Sequence, residues 1–539
     1  MGVRRRVTAI AVDALPPGLV EGWLAAGYLP NLQRLRQAGA WGGLSNPERY
    51  VYENSWLPFL QGISVRATGQ WGLQSFAPDT YRAEEPAAYD LTAFPPFYAS
   101  CRDRRVAVFD APLARPVEPV NGIQVLGWGA EANQSLRVSS PPALMREILD
   151  RHGEHPLYSG AGIRTLDKDV ASEVLSFRNP SIYDRPALLD LRDRIVAGVR
   201  QRTRIIQDLA CREPWDLLLA VYAETHIAGH LFWHLGLPHP LDGIVEWRPE
   251  DGNPLLEVVR AIDGAVGDIG ATVPQDGYLV VFSLHGMQAD DPNLPSALFL
   301  PEFLFRWQWG EPALAPSDPT APPPAPASHY RLHWKDEVWR LRTPLAERLL
   351  ESPSEQERAG DPLDWNPLNW YRRLWPRMRA FALPSYSHGM VRINVEGRES
   401  HGMVGRSDYA RVCDALAEAL LKLVDARTGT PLVREVIRTR TAPEEAGSPA
   451  TPADLIVVWK EGQPADVVDS PDVGRIGPVP FFRSGGHTPR GFCIAAGPGI
   501  QPGSVLPEGA GVLDLTATLM DLLGEPIPRH YEGHPWWPA

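Results

Sequence analysis

The chain has 539 residues, of which 44% are hydrophobic and 22% charged, a globular composition with room for two to four domains or one elaborate α/β domain. Its net charge of −13 argues against non-specific nucleic-acid binding as the main role. An anionic substrate stays compatible with that charge, because a bound metal ion reverses the local potential.

Cys101, Cys211, Cys413 and Cys493 are far apart and form no CxxC pair, so free buried thiols are expected rather than disulfides or a cysteine zinc cluster. The first six residues are basic, but the apolar run after them is broken at Asp13. Neither a signal peptide nor a membrane span is expected, and the chain reads as cytoplasmic with no membrane partner. Nothing in the sequence speaks to oligomeric state.

In chain order, Val7–Val12 reads as a buried strand ending at Asp13. Asp13 is a candidate metal ligand, with a helix cap or loop carboxylate as the alternative. Leu29-Pro30-Asn31-Leu32 opens an amphipathic helix with Leu32 and Leu35 on one face. Residues 52–62 form a polar turn and a short helix whose N-terminus could meet an anion. Residues 74–100, rich in proline and aromatics, read as a cap loop. Val106–Phe109 is a strand ending at Asp110, and 121–129 a strand and turn nearby.

Apolar residues at Leu188, Leu191, Ile195, Val199, Ile206 and Leu209 predict a long helix over 185–209, feeding the strand Leu217–Tyr222. Glu224-Thr225-His226-Ile227-Ala228-Gly229-His230 follows. The strand's C-terminal edge is where open α/β sheets bind ligands. An i, i+4 histidine pair on the following helical turn shares one face, as a metal ion requires. Two unrelated loop histidines are the alternative. Glu224 is a candidate partner orienting one imidazole, or else a plain surface carboxylate.

The helix-then-strand pattern recurs, with Val259, Ile262, Val266 and Ile269 aligned over 255–269, then a strand over 278–282 leading to His285 and Gly286. Residues 310–328 are a Pro- and Ala-rich connector with no core potential. Residues 334–375, dense in Trp, Arg and Leu, read as an inserted helical cap. Residues 391–395 form a strand and 409–424 a helix, followed by strands at Leu455–Trp459 and 492–495. Between the last two, Ser484-Gly485-Gly486-His487-Thr488-Pro489 reads as a glycine-rich loop presenting one histidine. A helix over 512–523 closes the chain.

In this order the motifs resemble the alkaline phosphatase superfamily, in its type I phosphodiesterase and nucleotide pyrophosphatase branch. Asp13 with the Pro-Asn-Leu helix is similar to that family's first ligand. Trp56 to Gly62 resembles its nucleophile helix, Glu224 to His230 its Glu-Pro-Asp-x-x-Gly-His motif, and Ser283 to Met287 its Ser-Asp-His-Gly-Met motif. His487 with Gly497-Pro498-Gly499 resembles the last ligand and its glycine turn. The closing run from Val512 to Gly524, with Asp514, Leu515 and Thr516, fits as well.

The resemblance implies a mostly parallel central sheet flanked by helices with inserted cap segments. Residues 1–300 would be the first part of the core, 301–380 a linker and cap, and 381–539 the remainder. It also implies one or two zinc ions, with manganese as the alternative, beside a hydroxyl nucleophile. Carried over, one site is His226, His230 and His487, with a histidine where the family has Asp; three histidines suit zinc with an open fourth position. The second site is Asp13 and His285, but Leu284 stands where a carboxylate belongs, and Glu53 is a candidate replacement. The family's nucleophile position falls on Tyr52, a bulky phenol of high pKa. Ser55, one helical turn on, is the nearest ordinary hydroxyl, and direct attack by a metal-bound water is the third option.

The resulting expectation is a metal-dependent hydrolase acting on a phosphodiester or nucleotide-like small molecule. Sulfate-ester hydrolysis is set aside because no Cys-x-Pro-x-Arg segment occurs. A catalytically degraded homologue that binds a phosphorylated ligand or a partner protein is the alternative, favoured by Leu284 and Tyr52.

Overall fold

Short apolar runs become parallel strands when helices bury both faces of the sheet. Five such runs lie side by side and parallel in the computed structural model: Tyr278–Ser283, Val7–Val12, Leu217–Tyr222, Val106–Phe109 and Gly122–Leu126. The structure describes residues 5–537 except 49, 51, 53, 87, 130–134, 159–162, 168–171, 176–178, 331, 362 and 444–450. On one side the sheet continues through Arg490–Ala496, Ala40–Ser45 and Ser504–Val505. On the other it continues through Ser135–Ser140, Ser172–Leu175 and Ile163–Asp167, making eleven strands. Arg490–Ala496 is antiparallel to both neighbours, and the Ser135–Ser140 extension is antiparallel throughout.

Side chains alternate between the two faces with the period of two that a strand imposes. Ile10, Val12, Leu218, Ala220 and Tyr222 join a core covered by the helices Pro30–Ala38, Arg185–Arg212 and Pro254–Gly270. Val7, Ala9, Ala11, Leu217, Leu219 and Val221 pack on the opposite side against the helices Trp56–Gln61 and Val512–Leu522. The fold is therefore the expected mostly parallel α/β sheet flanked by helices. Two of these helices begin with side-chain caps, Asp184 accepting from the Ala187 N–H at 3.1 Å and Asn253 from the Leu256 N–H at 3.0 Å.

Arg202, fully buried on the helix Arg185–Arg212, clamps that helix to the sheet. Its guanidinium donates to Asp110 Oδ2 at 2.5 Å, Glu224 Oε1 at 2.8 Å, the Val221 carbonyl at 2.9 Å and the Gly129 carbonyl at 3.2 Å. The charge is thus paired and its donors are satisfied, the condition for keeping an ion in an apolar core.

After residue 300 a second, four-stranded antiparallel sheet forms from Ala380–Leu383, Gly389–Ile393, Leu455–Trp459 and Val433–Arg438, with the helix Tyr409–Leu420 packed on it. Between the sheets lie the short helices Trp334–Trp339, Pro344–Leu349 and Pro353–Arg358, then a 3-10 run Pro367–Arg377 that buries Trp370 and Trp375. Among the described residues, 74–100 hold a small hairpin and one 3-10 turn. Among the described residues no helix is long and apolar enough to cross a membrane. The four cysteines are free; three are buried, and Cys211 is exposed, contrary to expectation.

Residues 310–328 differ from a loose connector. Ala313 and Leu314 are buried, and their N–H groups donate to Glu302 Oε1, both at 3.0 Å. Arg475 then holds the stretch by its carbonyls, donating to those of Asp318 at 2.7 Å and Ala321 at 2.6 Å. Proline-rich backbone has few N–H groups to give, so a donor from outside is what can order it. Limited proteolysis, read by mass spectrometry, is expected to cut first within 319–328 and leave the fragments associated on gel filtration. Arg475→Ala should speed that cut several-fold; an unchanged rate would show that the arginine does not restrain the segment.

Candidate metal centre

The three central strands end level. Val12 pairs with Tyr222 and Ala11 with Phe282, so Asp13, Ala223 and Leu284 leave the sheet at one height. Their junctions are tied together: Asp13 N donates to the Tyr222 carbonyl at 3.0 Å, Thr225 Oγ1 to the Asp13 carbonyl at 2.6 Å, and Ser283 Oγ to the His285 carbonyl at 2.7 Å. The helix Glu224–Phe232 then sets His226 and His230 on one face. The segment holding His487 corrects the loop expectation. Gly485–Thr488 is a short strand, antiparallel to Gly286–Ala289, with His487 opposite Met287.

Two glycines allow helix and strand to meet backbone to backbone. A methyl group on Gly485 would stand 2.1 Å from the Gly229 carbonyl oxygen, and one on Gly229 would stand 2.3 Å from Met287 Sδ. Only glycine permits this approach.

The ring centroids of His226, His230 and His487 form a near-equilateral triangle of 4.8, 4.8 and 4.7 Å. His226 Nδ1 lies 2.7 Å from Asp13 Oδ2 and His230 Nδ1 lies 2.7 Å from the Gly485 carbonyl. A carboxylate and a carbonyl only accept, so each Nδ1 carries a proton, and the neutral His230 ring keeps its lone pair on Nε2. His230 Nε2 is buried without a partner, as is His487 Nδ1. Buried orphan acceptors on converging imidazoles, with the far nitrogens held from behind, fit a divalent ion. One donor atom from each of the three comes within 4.8 Å of the others.

Asp13, His226 and His285 form an adjoining group. His285 Nε2 is 4.0 Å from Asp13 Oδ1, and its ring is 4.7 Å from that of His487. Asp13 Oδ1 also accepts the Trp56 indole N–H at 3.0 Å. Burial alone would raise the Asp13 carboxyl, but His285 and the hydrogen bond from His226 bring it down to about 2. Burial drives the imidazoles the other way. His285 falls to about 4, and His230 and His487 lie well below the ordinary value, helped by the neighbouring histidines and by Arg483. Neutral imidazole is the metal-binding form.

The other predicted residues are placed as follows. Leu284 is buried in the apolar core against the second face of the sheet. Glu224 is turned away from the three imidazoles; Oε1 accepts from Arg202 and from His155 Nε2 at 3.1 Å. Burial would raise its pKa, but the Arg202 charge and the His155 bond hold it at about 2. Asp13 and the Gly485 carbonyl hold the histidines in its place. Ser55 is buried at the N-cap position of the helix Trp56–Gln61 but does not cap it with its side chain, because Oγ donates to the Tyr52 carbonyl. The Tyr52 hydroxyl donates to the His487 carbonyl at 3.0 Å. Glu53 lies outside the described residues. Trp56 as a partner of Asp13 was not foreseen, because nothing local in the sequence signals a contact across that distance.

Metal content of His230→Ala and His487→Ala, measured on purified protein, is expected to fall at least tenfold below wild type. Retention of the wild-type stoichiometry in both would rule out the three-histidine centre.

A further expectation concerns two buried histidines beyond this set. Burial takes His239 to about 3 and His234 to about 4, while an unfolded chain protonates histidine near 6.5. Between those values the unfolded state binds more protons, so their contribution is complete above about pH 6.5 and is lost as pH falls toward 4. Each should cost about 1–3 kcal/mol at pH 4.5. The melting temperature should therefore drop below pH 6.5, and His239→Gln should flatten that decline; an unchanged slope would refute the assignment.

No protein-family model matches the sequence, and no curated protein is similar to it. Solved structures do match. The chain is 12% identical to a multiply substituted variant of alkaline phosphatase PafA, covering 99% of both chains with a TM-score of 0.51. It is 13% identical to human ectonucleotide pyrophosphatase/phosphodiesterase 5, covering 99% of this chain and 98% of that one, with a TM-score of 0.47. It is also 13% identical to phosphonoacetate hydrolase from Sinorhizobium meliloti 1021, covering 96% of both, with a TM-score of 0.43. At such identities the likeness is one of architecture, and it rests on the first of these. The eleven-stranded sheet and the helices on its two faces give this chain an alkaline phosphatase-like α/β fold.

Proposed function

We propose that the chain is a metal-dependent hydrolase of phosphate esters, acting on a phosphodiester or nucleotide-like small molecule. The observation that carries this reading is the convergence of His226, His230 and His487, with two far nitrogens fixed by Asp13 and the Gly485 carbonyl. Zinc, or manganese in its place, would supply positive charge opposite the phosphoryl oxygens and so favour displacement at phosphorus. Asp13 orients His226, and both its oxygens are engaged, Oδ2 by His226 and Oδ1 by Trp56. A second ion at Asp13 and His285 would compete with those bonds, and one ion is the proposed complement.

Ser55 is the proposed nucleophile. It precedes Trp56, which bonds Asp13, and follows Tyr52, which bonds the His487 carbonyl, so both ends of its turn touch the centre's own residues. Ser55 Oγ would form the new bond to phosphorus as the ester oxygen leaves with its electron pair. Water would then cleave the seryl phosphate. The hydroxyl proton, held by the Tyr52 carbonyl beforehand, would pass through water to the departing ester oxygen.

One feature favours a second reading, a homologue that binds a phosphorylated ligand without turning it over. Leu284 puts an apolar side chain in the core where the related motif has a carboxylate. The readings separate in a screen of chromogenic phosphodiester, monoester and sulfate substrates. The hydrolase should turn over the diester, lose activity to chelator, and fall roughly a thousand-fold or more in Ser55→Ala. A chiral thiophosphate should be released with retained configuration. Inversion with an active Ser55→Ala would assign attack to water, and absence of turnover on every ester would leave the binding protein.

A further inference from the structure

Buried arginines in this chain come with carboxylate partners. Arg202 has Asp110 and Glu224, Arg306 has Glu302, Arg392 has Glu399 and Arg475 has Asp469. Arg483 is the departure. It is 7% exposed, and among the described residues no hydrogen bond or ion pair reaches its guanidinium; Nε is buried without a partner. Its flanks are aromatic, with Cζ 5.1 Å from the Phe482 ring centroid and 5.5 Å from that of Trp365. Trp365 stacks on Tyr386 at 5.8 Å, and its own indole N–H is also buried without a partner.

The nearest carboxylates do not fill the gap. Glu85 and Asp290 act on Arg483 only from beyond ion-pair distance, and both are engaged elsewhere. Glu85 Oε2 accepts from the Tyr386 hydroxyl at 2.5 Å and Gln74 at 3.1 Å, and Asp290 Oδ1 accepts from Asn293 Nδ2 at 2.7 Å. Burial pushes both carboxyls up, Asp290 to about 7, which weakens Asp290 as a counter-ion. A guanidinium stays charged, and a buried charge without a counter-ion is costly. Two unused donors side by side, one ionic, describe the lining of a site for an oxyanion. Arg483 stands two residues before Gly485, whose carbonyl holds His230, and its charge is felt by both His230 and His487.

We infer that Arg483 and the Trp365 indole N–H form an oxyanion-binding subsite, walled by Phe482 and Tyr386, beside the three-histidine centre. It takes a phosphate or carboxylate group of the ligand. Its role in substrate selection rests on the hydrolase reading, whereas the anion site does not. One donor, Trp365, comes from the helical insert, so the insert contributes to recognition.

The test uses the full chain after chelator treatment, with inorganic phosphate and acetate as probes in calorimetric titration. Wild type is expected to bind phosphate, Arg483→Met to bind it at least tenfold more weakly, and Trp365→Phe several-fold more weakly. Arg483→Lys should keep part of the affinity, since it retains the charge but not the fork. Acetate binding that likewise depends on Arg483 would extend the subsite to carboxylates, and phosphate alone would restrict it to phosphoryl groups. A second readout guards against a folding defect. Without phosphate, Arg483→Met should melt no lower than wild type, because an unpaired buried charge has been removed, and phosphate should raise the melting temperature of wild type alone. Phosphate binding that is absent in wild type, or equal in Arg483→Met, overturns the subsite. So does an Arg483→Met variant that melts several degrees lower in phosphate-free buffer. If no ester is hydrolysed but phosphate still binds through Arg483, the hydrolase reading fails and the subsite stands.

Discussion

The hydrogen bond between Asp13 and His226 joins the two ideas on which this molecule is built. Asp13 is the first residue beyond one parallel strand, and His226 lies in the first turn after its neighbour. They meet only because the two strands run parallel with their last residues in register; a slip of one residue would turn the Asp13 side chain to the other face. Once made, the bond settles the tautomer of His226 and so which nitrogen looks toward His230 and His487. The sheet register thereby decides a matter of proton placement.

Electrostatics separates scaffold from site. Around Arg202 every buried charge has an opposite charge beside it, which ties the long helix to the strand ends beneath the centre. At the centre itself, burial keeps His230 and His487 neutral, and one nitrogen of each is buried without a partner. Such unmet polar groups reduce stability, and their concentration at one end of the sheet is the pattern expected where binding is to occur.

How much could be read beforehand follows the range of the signal. Val7–Val12, Val106–Phe109 and Leu217–Tyr222 were legible as strands because short apolar runs bounded by polar turns have few other solutions. The two long helices were legible from their repeating Leu, Ile and Val. The His226 and His230 spacing needed only the helix period. Ala40–Ser45 was missed because Gly42 and Gly43 hide a strand, and Gly485 and Gly486 made a paired strand look like a loop. Glu224 read as either a partner of a centre imidazole or a surface carboxylate, yet it is buried and drawn to Arg202, a partner on the preceding helix. Arg483 gave no sign at all in the sequence, since what distinguishes it is the lack of a partner in three dimensions. Pairings between distant segments set these outcomes, and no local window contains them.

The backbone contact between Gly229 and Gly485 has a consequence for when this protein becomes competent. His230 and the carbonyl that orients it are 255 residues apart in the chain. A polypeptide emerging from the ribosome can assemble the first strands, the long helices and two of the three imidazoles well before His487 is synthesised. The ligand set closes only when the penultimate part of the chain threads its short strand against the glycine face of the helix. Ion capture at the proposed centre would thus be a late step in biosynthesis, and a product truncated upstream of residue 485 would carry most of the sheet yet lack one of the three imidazoles.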